Sequence, residues 1–166
     1  MASGKTTIGR GLAALMKRGF IDLDDVIEKK AGLPIHSIFQ TSGEETFRDM
    51  EKEALEEIAG EKKPSVVALG GGAICNESSL ALVKKSGLLV YIRIPFITLA
   101  ERLESGTKER PLVTGLSGEQ LLENIEQRMA EREKYYSEAH LTVNGINLTA
   151  SHLYRIIQSG RLQGNI

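Results

Sequence analysis

The chain has 166 residues, of which 41% are hydrophobic and 26% are charged, and its formal net charge is −1. This length suits one domain with a real core, and the composition argues against disorder. The balanced charge argues against nucleic acid or an acidic membrane surface as the main partner, and the single cysteine, Cys75, excludes an internal disulfide.

Predicted helices and strands alternate along the chain. Helical periodicity covers 6–16, 44–58, 76–83, 95–103 and 119–137, and Thr149 is predicted to cap a last helix. Short apolar runs predict strands at 20–22, 65–69, 88–92 and 141–143. This alternation predicts one α/β domain, 1–166, with a parallel sheet covered by helices on both faces. The aperiodic stretch 104–118, with three glycines and one proline, is predicted to be a lid.

The residues before the first helix carry the strongest chemical signal. They are Ala2, Ser3, Gly4, Lys5, Thr6 and Thr7, the second half of a phosphate-binding loop. In such a loop the lysine reaches the β- and γ-phosphates, the first threonine ligates Mg²⁺, and the following helix adds its positive end. The alternative is an ordinary helix N-terminus, because the first glycine of the motif and the strand before it are not in the sequence. We therefore expect Met1 to be an internal residue of a longer protein.

Two carboxylates follow the first predicted strand. Asp22 and Asp24 are two residues apart, so they share one face if the chain is extended there. One of them could then hold Mg²⁺ through water, and the other could take a substrate hydroxyl. The alternative is that they cap the following helix, which Asp24 alone could do.

Arginines and a run of glycines indicate a small anionic ligand. Arg48 and Glu51 are neighbours on a predicted helix, and they form either a solvated pair or a guanidinium held for a ligand carboxylate. Three consecutive glycines at 70–72 end a buried strand, and their entropic cost predicts a close approach of the backbone to a ligand. Arg110 in the lid and Arg132 on the long helix are further candidates, although a lone arginine in such places is usually solvated.

Taken in order, these segments resemble the shikimate kinase family. The resemblance runs from Met1 to about Val143, and the combination is highly specific although no single segment is. The matching segments are Gly4-Lys5-Thr6, Phe20-Ile21-Asp22-Leu23-Asp24, Ile38-Phe39, Gly43-Glu44, Phe47-Arg48-x-x-Glu51, Gly70-Gly71-Gly72, Arg110-Pro111-Leu112 and Arg132-x-x-x-Tyr136.

The resemblance implies a three-layer P-loop kinase fold. Its parallel sheet has five strands in the order 2-3-1-4-5, with helices on both faces, a substrate-binding region at about 24–52 and a lid at about 104–118. The first of these five strands is missing from this chain. We therefore expect the neighbouring strands to lose a ladder partner and the core to lose a layer of side chains.

The resemblance also implies a reaction, which is the ATP-dependent phosphorylation of shikimate to shikimate 3-phosphate in the chorismate pathway. The implied catalytic residues are Lys5, Asp24 and Arg110. The implied nucleotide-binding residues are Ala2, Ser3, Gly4, Lys5, Thr6, Thr7, Arg102 and Arg110, and Thr6 and Asp22 are the implied Mg²⁺ ligands. The implied shikimate-binding residues are Asp24, Arg48, Glu51, Gly70, Gly71, Gly72 and Arg132.

Two alternatives stay open at this point. One is another small-metabolite kinase of the same fold, such as a gluconate kinase, and the other is a catalytically silent shikimate-kinase-like binding domain. We expect ATP, Mg²⁺ and shikimate as ligands, no nucleic acid or membrane partner, and a monomer. The expected location is the cytoplasm, and the incomplete N-terminus leaves a plastid open.

Overall fold

The computed structural model describes residues 3–105, 116 and 118–162. Within these residues the chain forms short strands separated by helices. The strands are β1 (Gly19–Asp22), β2 (Ser65–Ala68), β3 (Val90–Arg93) and β4 (Leu141–Asn144). The helices are α1 (Lys5–Met16), α2 (Leu23–Ala31), α3 (Ile35–Gly60), α4 (Glu77–Ser86), α5 (Phe96–Glu104), α6 (Gly118–Tyr136) and α7 (Ala150–Leu162).

The strands form two separate parallel pairs. In the first pair β1 lies beside β2 with Phe20 opposite Val66, and in the second β3 lies beside β4 with Tyr91 opposite Thr142. Among the described residues no strand joins β2 to β3. These pairs are the ones that the order 2-3-1-4-5 places on either side of its first strand, so the α/β class and the parallel pairing are confirmed.

A cavity of about 490 Å³ lies between the two strand pairs. Both inner strands line it, and α1 and α7 add apolar side chains such as Leu12 and Leu153. Most of the lining of this cavity is apolar.

Helices cover the strand pairs with apolar faces. Buried side chains of α1 and α7 form one core cluster with β4, which consists of Ile8, Leu12, Val143, Leu153 and Ile157. Buried side chains of α2 and α3 form another, which consists of Leu23, Ile27, Ile38, Phe47, Ala54, Leu55 and Ala73. The second cluster matters for function because it fixes α3 beside the carboxyl ends of β1 and β2.

Two helix starts that the sequence predicted are confirmed by their capping bonds. The side chain of Asn76 accepts a hydrogen bond from the backbone N–H of Ser79 at 2.8 Å, and α4 follows it. The hydroxyl of Thr149 accepts one from the N–H of His152 at 3.1 Å at the start of α7. Each bond satisfies a backbone donor that the first turn of a helix leaves unpaired.

The expectation that Asp22 and Asp24 share a strand face is wrong. The carboxylate of Asp22 accepts a hydrogen bond from the N–H of Asp24 at 3.2 Å, so Asp22 is the N-cap of α2. The strand therefore ends at Asp22, and Asp24 lies in the first helical turn. A capping side chain at a strand end turns the backbone at once, which removes the alternation that the expectation assumed.

The predicted helix 44–58, which carries Arg48, agrees with the second of two helical segments that make up α3. Gly43 separates the two segments with φ 81° and ψ 173°, a conformation that residues other than glycine rarely adopt. The first segment, which begins at Ile35, was not predicted. In the part of the chain described above, no helix is both long enough and apolar enough to cross a membrane.

Candidate active site

The phosphate-loop residues lead into an uncapped helix N-terminus. Gly4 has φ 81° and ψ 12° at the N-cap of α1, no side chain caps the helix, and its first turn holds no acidic residue. Among the described residues, the first turn of α1 itself therefore supplies no anion to its N–H groups and positive end. This arrangement suits phosphate oxygens.

The side chains of Thr6 and Asp22 are in contact at the N-terminal end of α1. The hydroxyl of Thr6 donates a hydrogen bond to Oδ2 of Asp22 at 2.7 Å, and Asp22 is 7% exposed. Mg²⁺ prefers oxygen ligands and is commonly held by one or two protein groups together with waters and substrate phosphates. The two oxygens that the sequence assigned to Mg²⁺ are thus brought together by the fold, and they fit this ion.

Lys5 links the phosphate loop to the second carboxylate. Its Nζ lies 3.9 Å from Oδ2 of Asp24, and each side chain is about one-third exposed. Asp24 in turn lies beside the glycine turn, because a Cβ added to Gly70 would stand 3.2 Å from Oδ1 of Asp24. Asp24 is therefore placed between the phosphate-binding end of α1 and the turn that follows β2.

Arg48 is held on α3 by two carboxylates. Its Nη1 donates to Oε2 of Glu51 at 2.7 Å, and its Nη2 donates to Oε1 of Glu44 at 2.8 Å. Burial by itself would lower the pKa of Arg48, but Glu51 and Glu44 outweigh that effect and raise it. The guanidinium is thus a fixed positive charge in a defined orientation, as the ligand-binding interpretation of the pair requires.

Arg132 of α6 completes a cluster of charges around Glu51. Arg132 is 9% exposed and Glu51 is 3% exposed, and the two side chains interact electrostatically. A buried charge is tolerated when it is paired, so Glu51 and the two arginines stabilise one another. Two guanidinium groups from α3 and α6 therefore lie near one buried carboxylate, which favours binding of a ligand carboxylate at this place.

The glycines at 70–72 pack against these side chains. A Cβ at Gly70 would lie 2.7 Å from Oε1 of Glu51, and one at Gly72 would lie 2.7 Å from Cζ of Arg48. Real Cβ atoms essentially never show contacts under 3.0 Å. The backbone at Gly70 and Gly72 thus approaches two side chains of the candidate site, Glu51 and Arg48, and its close approach to a ligand stays a prediction.

We expect Gly72→Ala to displace the guanidinium of Arg48 without unfolding the protein, because the new methyl group meets only the end of a long side chain. The KM for an acid substrate bound by Arg48 should rise about tenfold, the effect of weakening one charged hydrogen bond. The matched control is Gly87→Ala, since a Cβ there meets nothing within 4 Å. Steady-state kinetics check this expectation, and equal KM values for the two variants would contradict it.

Burial raises the pKa of Glu51 above the usual pKa of a glutamate, although Arg48 and Arg132 act in the opposite direction. Between the usual pKa and the raised pKa, the folded state therefore binds more protons than the unfolded state. We expect the contribution of Glu51 to the free energy of unfolding to fall as the pH rises through this range. Urea unfolding at a series of pH values, compared with Glu51→Gln, measures it. If the free energy of unfolding of the wild type rose with pH relative to that of Glu51→Gln, this expectation would be contradicted.

Three side chains around the site were not assigned to it from the sequence. Tyr136 donates its hydroxyl hydrogen to the carbonyl oxygen of Gly71. Cys75 donates to the same oxygen at 3.7 Å, and Glu44 is the second partner of Arg48. The spacing of Glu44, four residues before Arg48 on a helix, was a signal that could have identified it.

Some predicted site residues are not tested by this geometry. Ala2 and Arg110 lie outside the described residues, as does most of the predicted lid. Arg102 lies half-buried in the last turn of α5, and its place beside a nucleotide stays a prediction. Ser3 and Thr7 flank the start of α1, as the phosphate loop requires.

Comparisons with known proteins agree with one another. Residues 1–159 match the family model described as shikimate kinase. A shikimate kinase of Chlorobium luteolum is 42% identical over 146 residues, which are 85% of this chain and 71% of the relative. One of Parabacteroides distasonis is 37% identical over 157 residues, which are 94% of this chain and 90% of the relative.

A solved structure supports the same assignment. The shikimate kinase of Acinetobacter baumannii, solved in complex with shikimate, superimposes with a TM-score of 0.88 at 34% identity. The similarity covers 99% of this chain and 89% of that chain. With the phosphate loop, the paired arginines and the glycine turn in place, we conclude that this chain belongs to the shikimate kinase family.

Proposed function

We propose that this protein transfers the γ-phosphate of ATP to a hydroxyl of shikimate, which yields ADP and shikimate 3-phosphate. The observation that carries the proposal is the 3.9 Å separation between Nζ of Lys5 and the carboxylate of Asp24. This contact joins a phosphate-binding helix end to a pocket lined by arginines. A phosphoryl donor and an anionic acceptor can therefore meet at Asp24.

The donor half of the reaction belongs to α1 and its neighbours. The N–H groups at the start of α1 bind phosphate oxygens, and Lys5 neutralises the charge on the transferring group. Thr6 and Asp22 would hold Mg²⁺, which would offset the negative charge of the phosphates. The proposal extends to Arg110 and the lid at 104–118, which would close over the nucleotide.

The acceptor half belongs to α2, α3, α6 and the glycine turn. Asp24 binds the attacking hydroxyl of shikimate and takes its proton as the new P–O bond forms and the bond to ADP breaks. Phosphoryl transfer demands little covalent help from the protein, so positioning of the two oxygens is the main contribution of Asp24.

Arg48 and Arg132 bind the shikimate carboxylate in this proposal. Charged hydrogen bonds of this kind contribute about 1.5–3 kcal/mol each. Glu51 and Glu44 hold Arg48 at 2.7 and 2.8 Å, so little side-chain freedom is lost when the acid binds. The pair of arginines selects a cyclic hydroxy acid over a neutral polyol, and this separates the proposal from kinases of uncharged sugars.

The test is ADP release from Mg·ATP, measured with shikimate, with gluconate and with neither. We expect release that depends on shikimate and is absent with gluconate. Release with gluconate alone would favour another small-metabolite kinase. If no acceptor stimulated ADP release but calorimetry still detected shikimate binding, a silent binding domain would be favoured.

The described part of the site also bears on the oligomeric state in which the protein is active. Its phosphate-binding and acid-binding residues contact one another within one chain, so we propose a monomer as the catalytic unit. Sedimentation of the purified protein checks the monomer.

A cytoplasmic location is proposed on the single cysteine, because a reducing compartment suits a chain without disulfides.

A further inference from the structure

The carbonyl group of Gly71 has two side-chain partners. The hydroxyl of Tyr136 donates to its oxygen at 2.5 Å across 65 positions of sequence, and the thiol of Cys75 donates to it at 3.7 Å. Tyr136 reaches this oxygen from the C-terminal end of α6, one helical turn after Arg132. The turn after β2 is thus tied to the helix that carries the second arginine of the site.

The tyrosine is suited to this task because it is a permanent donor. Burial raises the pKa of Tyr136 to about 12, with Arg132 acting in the opposite direction. The phenol therefore keeps its proton over the whole working range of the protein. Its ring lies against Tyr91 with centroids 4.8 Å apart, which restrains the ring and so the place of its hydroxyl oxygen.

Because a peptide unit is planar, the bond to the Gly71 carbonyl also sets the direction of the N–H of Gly72. In a trans peptide the C=O and the following N–H point in opposite directions. When Tyr136 draws the carbonyl oxygen of Gly71 toward α6, the N–H of Gly72 must point away from α6. Gly72 lies against the guanidinium of Arg48, so its peptide plane belongs to the same surface as the proposed shikimate site.

We propose that Tyr136 is a positioning residue for the acceptor: by holding the Gly71–Gly72 peptide, it aims the N–H of Gly72 at bound shikimate. The inference rests on the proposed function. Tyr136 does not touch the substrate itself. Its hydroxyl acts through the orientation of one peptide group. Without it only the longer contact from the Cys75 thiol remains on this oxygen, so the peptide is held less firmly and its N–H is aimed less well.

The test is Tyr136→Phe, which removes only the hydroxyl and keeps the ring against Tyr91. We expect the KM for shikimate to rise about fivefold, the effect of one net hydrogen bond, while the KM for ATP stays within about twofold. The matched control is Tyr135→Phe, the adjacent tyrosine, which makes no hydrogen bond to residues 70–72 in the described structure. That control should keep both KM values.

A second measurement separates positioning from a purely structural role. In ¹⁵N-labelled wild-type protein, the amide signal of Gly72 should move when shikimate is added, and in Tyr136→Phe the movement should be smaller. A lower melting temperature with unchanged KM values and an unchanged Gly72 response would overturn the inference. Wild-type protein that shows no turnover with shikimate would instead overturn the proposed function, and the inference with it.

Discussion

Lys5→Met should lower kcat for shikimate-dependent ADP release by about 10²–10³-fold, the usual loss when one preorganised donor to developing charge is removed. Met has nearly the length of Lys but lacks the ammonium group, so the phosphates lose one positive charge while the shape of the loop is kept. Steady-state kinetics at saturating ATP and shikimate measure the effect.

The fold should survive this change. The side chain of Lys5 is 31% exposed, and its 3.9 Å contact with Asp24 is a partly solvated ion pair, which contributes at most about 1 kcal/mol to stability. The melting temperature should therefore change little. Lys29→Met, on the exposed face of α2, is the matched control and should keep full activity. Turnover of Lys5→Met close to that of the control would remove Lys5 from the mechanism.

Arg48→Ala should raise the KM for shikimate about 10- to 100-fold and leave the KM for ATP within about twofold. The expected range corresponds to the loss of charged hydrogen bonds of about 1.5–3 kcal/mol to the substrate carboxylate. Arg48→Lys keeps the positive charge but loses the planar set of donors of the guanidinium. Its KM for shikimate should therefore lie between those of wild type and Arg48→Ala. Initial rates with each substrate varied in turn give all of these values.

Arg48→Ala also leaves Glu51 without its closest partner at a buried position. We therefore expect a lower melting temperature in addition to the change in KM, because an unpaired buried carboxylate is costly. Arg93→Ala is the matched control, since Arg93 is mostly exposed and lies 3.7 Å from Glu133. If the KM values for ATP and shikimate rose equally in Arg48→Ala, Arg48 would have no specific role toward the acid.

Local chemistry made part of this fold predictable from the sequence. The caps at Asn76 and Thr149 depend on residues two or three positions away, so a short window contains all of the necessary information. The same holds for the pairing of Arg48 with Glu51 on one helix. The parallel pairs followed from the alternation of apolar runs and helical stretches.

Other features depend on contacts between distant parts of the chain. The bond from Tyr136 to Gly71 spans 65 positions, and no periodicity in α6 distinguishes a packing tyrosine from one that holds a peptide. Whether Asp24 lies on a strand or in a helix depended on whether β1 continues through Leu23. The hydrogen bond from the N–H of Asp24 to Asp22 caps a helix that starts at Leu23 instead. Such choices are made by tertiary geometry, which a linear pattern does not contain.

Asp22 uses its two carboxylate oxygens for different partners. Its Oδ1 accepts the N–H of Asp24 and caps α2, and its Oδ2 accepts the hydroxyl of Thr6 at 2.7 Å. The start of α2 and the phosphate-binding end of α1 are therefore joined through one buried side chain. A change at this carboxylate disturbs the position of Asp24 and that of Thr6 together.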